Sequence, residues 1–513
     1  MAEVEFQVLS PGARIAVVGA GISGLVSART LGEFGFRVTV FDRTPDVGGV
    51  WSVIRRYPGL RTQNSKHTYR FSDHPMPASY PDWPTGRQMQ QYLEGYAKRF
   101  HVDRCLRLGV EVEWAEPQGT GWELSIRNLA DGRVELQRFD HVVVANGIFC
   151  NPSVPLYTGV DVFQAAGGVV AHTSQFPTVG RVDGRHVVVV GFGKSACDVA
   201  AAMADSAASV HVVARRLLWK MPCRISFVGS NERVSLTRIG EASFPHLEPT
   251  RLDRFLRGPG RPLRDAAFRR IEGGVRRRLA GLDLVPDGRF EEIAQSSVSL
   301  ETDGFVSKVL AGSIRVHRDT EISELFIEND VPHVRLSNGQ TIRADLVLCA
   351  TGFHQRVAFL PADLQRRLVD ERGDLLLYRH IHPLDVPRLS FVGYNSSLIS
   401  ALNAEVAALW VAAQVTGRLV LPPVAKQRAD VARRLTWMDE RTQGHSAHGT
   451  SVVPFSIRNL DEMLADLGVR INVLARAREY VAPIDPTAYR HLRRAILARQ
   501  PLPSRGPAVL GAG

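Results

Sequence analysis

Hydrophobic positions along the chain alternate between two regimes. Ile15, Ala16, Val17 and Val18 form an uninterrupted apolar run, the pattern of a strand buried in a parallel sheet. From Ile22 to Gly35 the apolar residues switch to helical spacing, and "RVTVF" then returns to a strand pattern that ends at Asp42. The succession recurs at "HVVVVGFGKSACDVA", where His186–Val190 reads as a strand, a helix follows, and "VHVVA" forms the next strand before Arg215 and Arg216. Two more strand-like runs, "FDHVVVANGIFCNPSVP" and "ADLVLCATGF", each end in a turn of small residues, as expected where a chain leaves a nucleotide-binding sheet for another domain.

These patterns predict an α/β protein with two Rossmann-like dinucleotide-binding domains, the second inserted into a discontinuous first. The expected boundaries are 1–155 and 336–430 for the first domain and 156–335 for the second, with a helical insertion at about 217–300. Residues 431–513 are expected to form a C-terminal helical extension, and its last stretch, "RQPLPSRGPAVLGAG", has the composition of a flexible tail. A chain of 513 residues supports such a division, since single units run to about 100–200 residues.

The joints between strand and helix carry the chemistry. "GAGISG" provides Gly19 for the turn, Gly21 for close approach of the backbone to a pyrophosphate, and Gly24 for close helix packing. Asp42, about twenty residues on, stands where a carboxylate accepts hydrogen bonds from a ribose. A bare tight turn before a helix is the competing reading of these glycines. In the second unit Gly191, Gly193 and Ala196 repeat the spacing, but Arg215 and Arg216 replace the acid. A guanidinium there can clamp a ribose 2′-phosphate, which favours NADPH over NADH; a pair of surface arginines is the alternative.

Composition narrows the class. With 44% hydrophobic and 22% charged residues the chain reads as an ordinary globular protein, with no apolar run near the length of a membrane span and no secretory start, so the expected address is cytoplasmic. Five scattered cysteines without a C-x-x-C pair argue against disulfide scaffolds, metal sites and the disulfide-reducing two-dinucleotide enzymes. Much of the net charge of +11 lies in "RLDRFLRGPGRPLRDAAFRRIEGGVRRRL", which reads as a solvated or anion-facing helical surface rather than a nucleic-acid site, because no aromatic residues are interleaved in its helical part. A basic balance also suits two anionic cofactors.

Taken together, "GAGISG" with Asp42, "GGVW", "YPGLRTQNSKHTYRFSDHPMP", "GFGKSACD", "ATGF" and "YRHIHPLDVPRLSFVGY" make the chain similar to the class B flavoprotein monooxygenases. That group holds flavin-containing monooxygenases, N-hydroxylating enzymes and Baeyer–Villiger monooxygenases. The resemblance implies FAD at the first turn, with Arg43, Gly49, Val50 and Trp51 beside it. It implies NADPH at the second, with Lys194, Ser195, Thr351 and Gly352. It further implies a C4a-(hydro)peroxyflavin that gives one oxygen atom to a small organic substrate, either at nitrogen or sulfur or by Baeyer–Villiger oxidation of a ketone. A homodimer is compatible with it; a membrane or nucleic-acid partner is not expected. An NADPH-dependent flavoprotein reductase without oxygen transfer is the alternative function, and a cofactor-retaining binding protein a third.

Two family features depart from pattern. The fingerprint F-x-G-x-x-x-H-x-x-x-F/Y keeps Gly168, His172 and Phe176, but Ala166 stands at the first position and the nearest phenylalanine is Phe163. The resemblance makes His172 a mediator of domain geometry. Gln63 falls where flavin-containing monooxygenases carry an asparagine that contacts flavin and nicotinamide, with Asn64 next to it. Either amide could donate to the flavin peroxide, and Asn64 has the alternative of capping a following helix. A cation that would hold a peroxide anion could come from Arg55, Arg56 or Arg224. The helix expected from about Ala401, preceded by Asn395, Ser396 and Ser397, either points its N-terminus at the flavin or serves only as core.

Overall fold

In the computed structural model, which describes residues 8–178, 180, 182–225, 229–295, 299–445 and 447–501, two parallel sheets carry the molecule. Most of the tail expected to be flexible lies outside the described residues. The elements that build the site are β1 (Arg14–Val18), α1 (Ile22–Glu33), β2 (Arg37–Asp42), β3 (Leu106–Leu108), β4 (His141–Val144), β5 (Val169–His172), β6 (His186–Val190), α2 (Lys194–Met203), β7 (Ser209–Ala214), β8 (Ile314–Arg318), β9 (Leu346–Cys349), β10 (Leu389–Phe391) and α3 (Ser400–Val415).

The first sheet has the order β10-β4-β1-β2-β3, with Ile15 beside both Val38 and His141. The second has the order β8-β7-β6-β9-β5, with Val187 beside both Val210 and Leu346. All ladders in both are parallel. The central strands are apolar on both faces because helices cover one side and a three-stranded antiparallel sheet lies against the other. Those covers are Val110–Gln118, Gly121–Asn128 and Val134–Phe139 for the first sheet, and Ile322–Glu328, Val331–Leu336 and Thr341–Arg343 for the second.

Strand β9 corrects the expected boundary at 336. "ADLVLCATGF" supplies β9, and β9 pairs with β6 and β5 in the second sheet, so the return to the first domain comes after Cys349. The outgoing and returning chains then run side by side, Asn151–Pro152 pairing antiparallel with Phe353–His354.

The inserted segment is helical as expected, with Glu232–Ser235, Arg238–Ala242, Arg251–Arg257 and Arg261–Leu279. In the last of these, Phe268, Ile271 and Val275 are buried, while Arg264 and Arg276 pair with Glu291 and Glu272. The C-terminal helices are less of an appendage than their sequence position suggests. Leu460, Met463, Leu492 and Ile496 share one core with α1 and α3, and Arg493 reaches Glu405 of α3 at 3.2 Å. Among the described residues no helix is long and apolar enough to cross a membrane.

Candidate active site

Strand β1 ends one residue before Gly19, where the backbone takes φ 114° and a Cβ would lie 2.4 Å from the Ala145 carbonyl oxygen. A Cβ on Gly24 would lie 1.7 Å from the Gly19 carbonyl oxygen, so only glycine lets α1 begin this close to the strand. Gly21 stands backbone to backbone with the second glycine loop: a Cβ on it would lie 3.5 Å from Gly49 Cα. Val50 and Trp51 continue that loop, and Trp51 is buried. Asp42 is already engaged, accepting Ala20 N–H at 2.6 Å on Oδ2 and Thr44 N–H and Oγ1–H at 2.8 Å each on Oδ1. A carboxylate offers about four acceptor positions, so capacity remains for a hydroxyl.

The second turn repeats this geometry, and the repeat is informative. Gly19 N–H donates to Phe41 O at 2.7 Å, and Gly191 N–H donates to Val213 O at 2.8 Å. By this register Ala214 occupies the place that Asp42 holds in the first unit. A methyl group thus replaces the carboxylate at that position, and Arg215 and Arg216 follow, exposed and without an ion pair among the described residues.

Gly19, Gly21, Lys194 and Ser195 all line one cleft of about 730 Å³. Arg43, Gly49, Val50 and Trp51 line it too, as do both amides, Gln63 and Asn64. The ammonium of Lys194 is committed to the buried Asp198 and also reaches Thr302 Oγ1 at 3.3 Å. Ser195 Oγ donates to the Tyr57 hydroxyl at 3.1 Å, which ties the two domains across the cleft. Tyr57, Asp198 and Thr302 were not singled out from sequence. Lys194 and Asp198 do carry a signal, the four-residue spacing of an intrahelical ion pair; Tyr57 and Thr302 come from remote segments and carry none.

Thr351 and Gly352 sit in the returning crossover: Thr351 Oγ1 donates to Ser153 O, and Gly352 O accepts Ser153 N–H at 3.0 Å. The displaced fingerprint has a spatial solution. The Phe163 ring lies on Gly168, where a Cβ would come within 2.4 Å of it, so Phe163 takes the contact that Ala166 cannot make. His172 ends β5, its Nδ1 2.8 Å from Ser174 Oγ and its ring 4.7 Å from Phe353. Burial pushes its pKa down to about 4, so it is neutral near pH 7 and suits a packing role. Phe176 packs against the core of the second sheet.

The capping alternative for Asn64 fails, because residues 65–70 form no helix and the Asn64 amide donates instead to Leu398 O. Gln63 Oε1 accepts Leu300 N–H at 3.2 Å, and its Nε2 has no partner among the described residues. Of the three candidate cations only Arg55 lines the cleft. Its guanidinium donates to Phe149 O, and burial with Arg43 nearby lowers its pKa. Arg43 and Asp42 are its charged neighbours, so it belongs to the Asp42 end. Arg56 is bonded to Gln90, and Arg224 is exposed on a short hairpin. Ser397 and Ser400 bring the N-terminal end of α3 to the cleft wall, while Ala401–Val415 is buried throughout; α3 is both core helix and wall.

Residues 12–256 match the model of the family described as "Flavin-binding monooxygenase-like". The chain is 27% identical to "Probable flavin-containing monooxygenase 1" of Arabidopsis thaliana, over 89% of this chain and 92% of that protein. It is 27% identical to human "Flavin-containing monooxygenase 5", over 93% and 86%. The chain is thus similar to the flavin-containing monooxygenases over most of its length. A solved structure of cyclohexanone monooxygenase from Rhodococcus sp. Phi1 bound to NADP+ matches with a TM-score of 0.62 at 19% identity, covering 95% of this chain and 98% of that one, which shows the shared fold.

The cofactors of a class B monooxygenase are FAD and NADPH, and the residues present fit both. The first turn offers a glycine cradle that a side chain would fill, the N-terminus of α1 and the Asp42 carboxylate. The second offers the N-terminus of α2 and, after the next strand, two exposed guanidinium groups without an ion pair among the described residues.

Proposed function

We propose that this class B monooxygenase transfers one oxygen atom of O2 to a nitrogen or sulfur atom of a small organic substrate, using FAD on the Asp42 side of the cleft and NADPH on the Lys194 side. Bound flavin, reduced by NADPH, supplies the activation of oxygen. The chain supplies binding, orientation and exclusion of water. The Arg43 and Arg55 guanidinium groups at the Asp42 end favour an anionic diphosphate. Leu398 and Val453 line the cleft near the amides and keep that end apolar.

The observation that carries the choice of reaction is the uncharged donor at the amide end. The Gln63 Nε2 group can hydrogen-bond a transferring oxygen without fixing it as an anion. Attack on a ketone calls for a cation that holds an anionic oxygen. Lys194 is ion-paired with Asp198, Arg55 lies with Arg43 and Asp42, and Arg61, though it keeps its charge, is exposed and turned to Trp83 O. An electrophilic oxygen donor and a soft nucleophile follow from this.

Purified flavin-loaded protein incubated with NADPH, air and either a tertiary amine, a thioether or a cyclic ketone tests the reading. The expected products are N-oxide and sulfoxide, with the ketone returned unchanged and NADPH diverted to hydrogen peroxide. A lactone as main product would refute the preference, and NADPH consumption with peroxide alone for every substrate would refute oxygen transfer. Replacing Gln63 by leucine is expected to leave flavin reduction intact and to raise peroxide at the expense of product. Asn64→Leu is expected to do so less, because the Asn64 amide is already committed to Leu398 O.

A further inference from the structure

The loop that carries the amide pair is anchored from the inserted segment. Glu232, only 6% exposed, opens the short helix Glu232–Ser235. Its Oε1 accepts Ser65 N–H at 2.7 Å and Thr68 Oγ1–H at 2.6 Å, and its Oε2 accepts Ser65 Oγ–H at 3.0 Å. Ser65 and Thr68 are themselves buried. On the other side of the loop, Gln63 accepts Leu300 N–H, and Ser299–Leu300 pairs in parallel with Lys220–Met221. The inserted segment therefore holds the loop both just after Asn64 and at Gln63 itself.

A buried carboxylate is costly unless its oxygens are bonded. Among the described residues no arginine or lysine pairs with Glu232, so three donors from one loop carry its whole compensation. The same three bonds restrain the loop. Ser65 follows Asn64 directly, and its N–H is fixed by Glu232, so a change at Glu232 is passed straight to the backbone between the two amides and the rest of the loop.

We infer that Glu232 is a positioning residue for oxygen transfer, acting through Ser65 and Thr68 to fix the Gln63 and Asn64 amides, and that the inserted segment thereby shapes the reacting end of the cleft. The inference rests on the reading that the amide pair borders the reacting atoms.

The test uses the flavin-loaded enzyme with NADPH and a thioether, and compares Glu232→Ala, Glu232→Gln, Thr68→Val, Gln63→Leu and the double variant of Glu232→Ala with Gln63→Leu. Three quantities are read: the rate of flavin reduction, hydrogen peroxide released per NADPH, and the melting temperature. Glu232→Ala is expected to raise the ratio of peroxide to sulfoxide about fivefold, the effect of losing roughly one hydrogen bond's worth of restraint, with flavin reduction little changed. Glu232→Gln is expected to restore coupling, because its Oε1 can accept from Ser65 N–H and Thr68 Oγ1–H while its Nε2 donates to Ser65 Oγ. Thr68→Val, which removes one donor and leaves Glu232 in place, is expected to shift the ratio in the same direction by less, and keeps the test open if Glu232→Ala does not fold. The double variant is expected to be no more uncoupled than the worse single variant.

A lower melting temperature for Glu232→Ala with unchanged coupling would overturn the inference, as would unchanged coupling in Thr68→Val or independent, multiplying effects in the double variant. If Gln63→Leu uncouples while Glu232→Ala does not, the inference alone falls. If neither uncouples, the reading of the amide pair falls with it.

Discussion

Coenzyme choice is expected to rest on Arg215 and Arg216, and the size of the effect can be worked from their surroundings. Both follow β7 directly, and by register Ala214 stands where the first unit has Asp42, so a methyl group replaces the acid that would repel a 2′-phosphate at that position. Each guanidinium can give a charge-assisted hydrogen bond of about 1.5–3 kcal/mol. Both side chains are exposed, so ordering them costs up to about 2 kcal/mol each in rotamer freedom and solvent screens the attraction. The net contribution of the pair is then about 1.5–3 kcal/mol, a factor of roughly ten to a hundred in affinity. Steady-state kinetics of the Arg215→Ala, Arg216→Ala double variant should show KM for NADPH raised by that factor, KM for NADH nearly unmoved, and kcat with NADPH retained. The preference of the unaltered enzyme should also shrink at high salt, since exposed charges are screened. Equal losses with both coenzymes, or none with either, would refute the clamp.

Gly21→Val should yield protein without flavin, read from its absorbance after purification: a Cβ at Gly21 fits at 3.5 Å from Gly49 Cα, but the branched methyl groups beyond it crowd the Gly48–Gly49 backbone and fill the space a pyrophosphate needs. Gly168→Ala should cost about 1–3 kcal/mol in denaturant unfolding because its methyl enters the Phe163 ring, and Phe163→Ala about 3–5 kcal/mol; the double variant should lose clearly less than the sum, since the second change makes room for the first. His172 has a folded pKa depressed to about 4 from 6.5, so its contribution to stability is present above pH 6.5 and is lost as pH falls towards 4. His172→Gln should therefore narrow the drop in melting temperature between pH 7 and pH 5, and an unchanged drop would show that the imidazole is protonated without cost.

The nucleotide-binding halves were legible because each is local: strand, glycine turn and helix lie within about thirty residues, and their apolar periods change where the elements do. The boundary at 336 failed for a physical reason. A buried parallel strand such as Leu346–Cys349 reads the same whichever sheet it joins, and only its neighbours β6 and β5, more than 150 residues earlier, decide the matter. Phe163 shows the same limit on a smaller scale, since a ring five residues from Gly168 can cover it once a short helix intervenes. The anchoring of Gln63 and Asn64 was not legible at all. Leu300, Leu398 and Glu232 are joined to that loop only by the fold, and buried polar partners of this kind leave no periodic trace in a sequence.

The pairing of Asn151–Pro152 with Phe353–His354 means that the whole second sheet enters and leaves the first domain through one narrow neck. Directly opposed residues of an antiparallel pair have their Cα atoms only about 5 Å apart. A chain whose two ends are that close can be cut out and closed with a linker of a few residues, or reopened elsewhere, without pulling either sheet apart. The second sheet is thus a single covalent excursion from the first domain, but the bonds from Glu232 and Leu300 to the loop of Gln63 and Asn64 tie it back to the cleft, so exchanging the excursion would exchange part of the cleft wall with it.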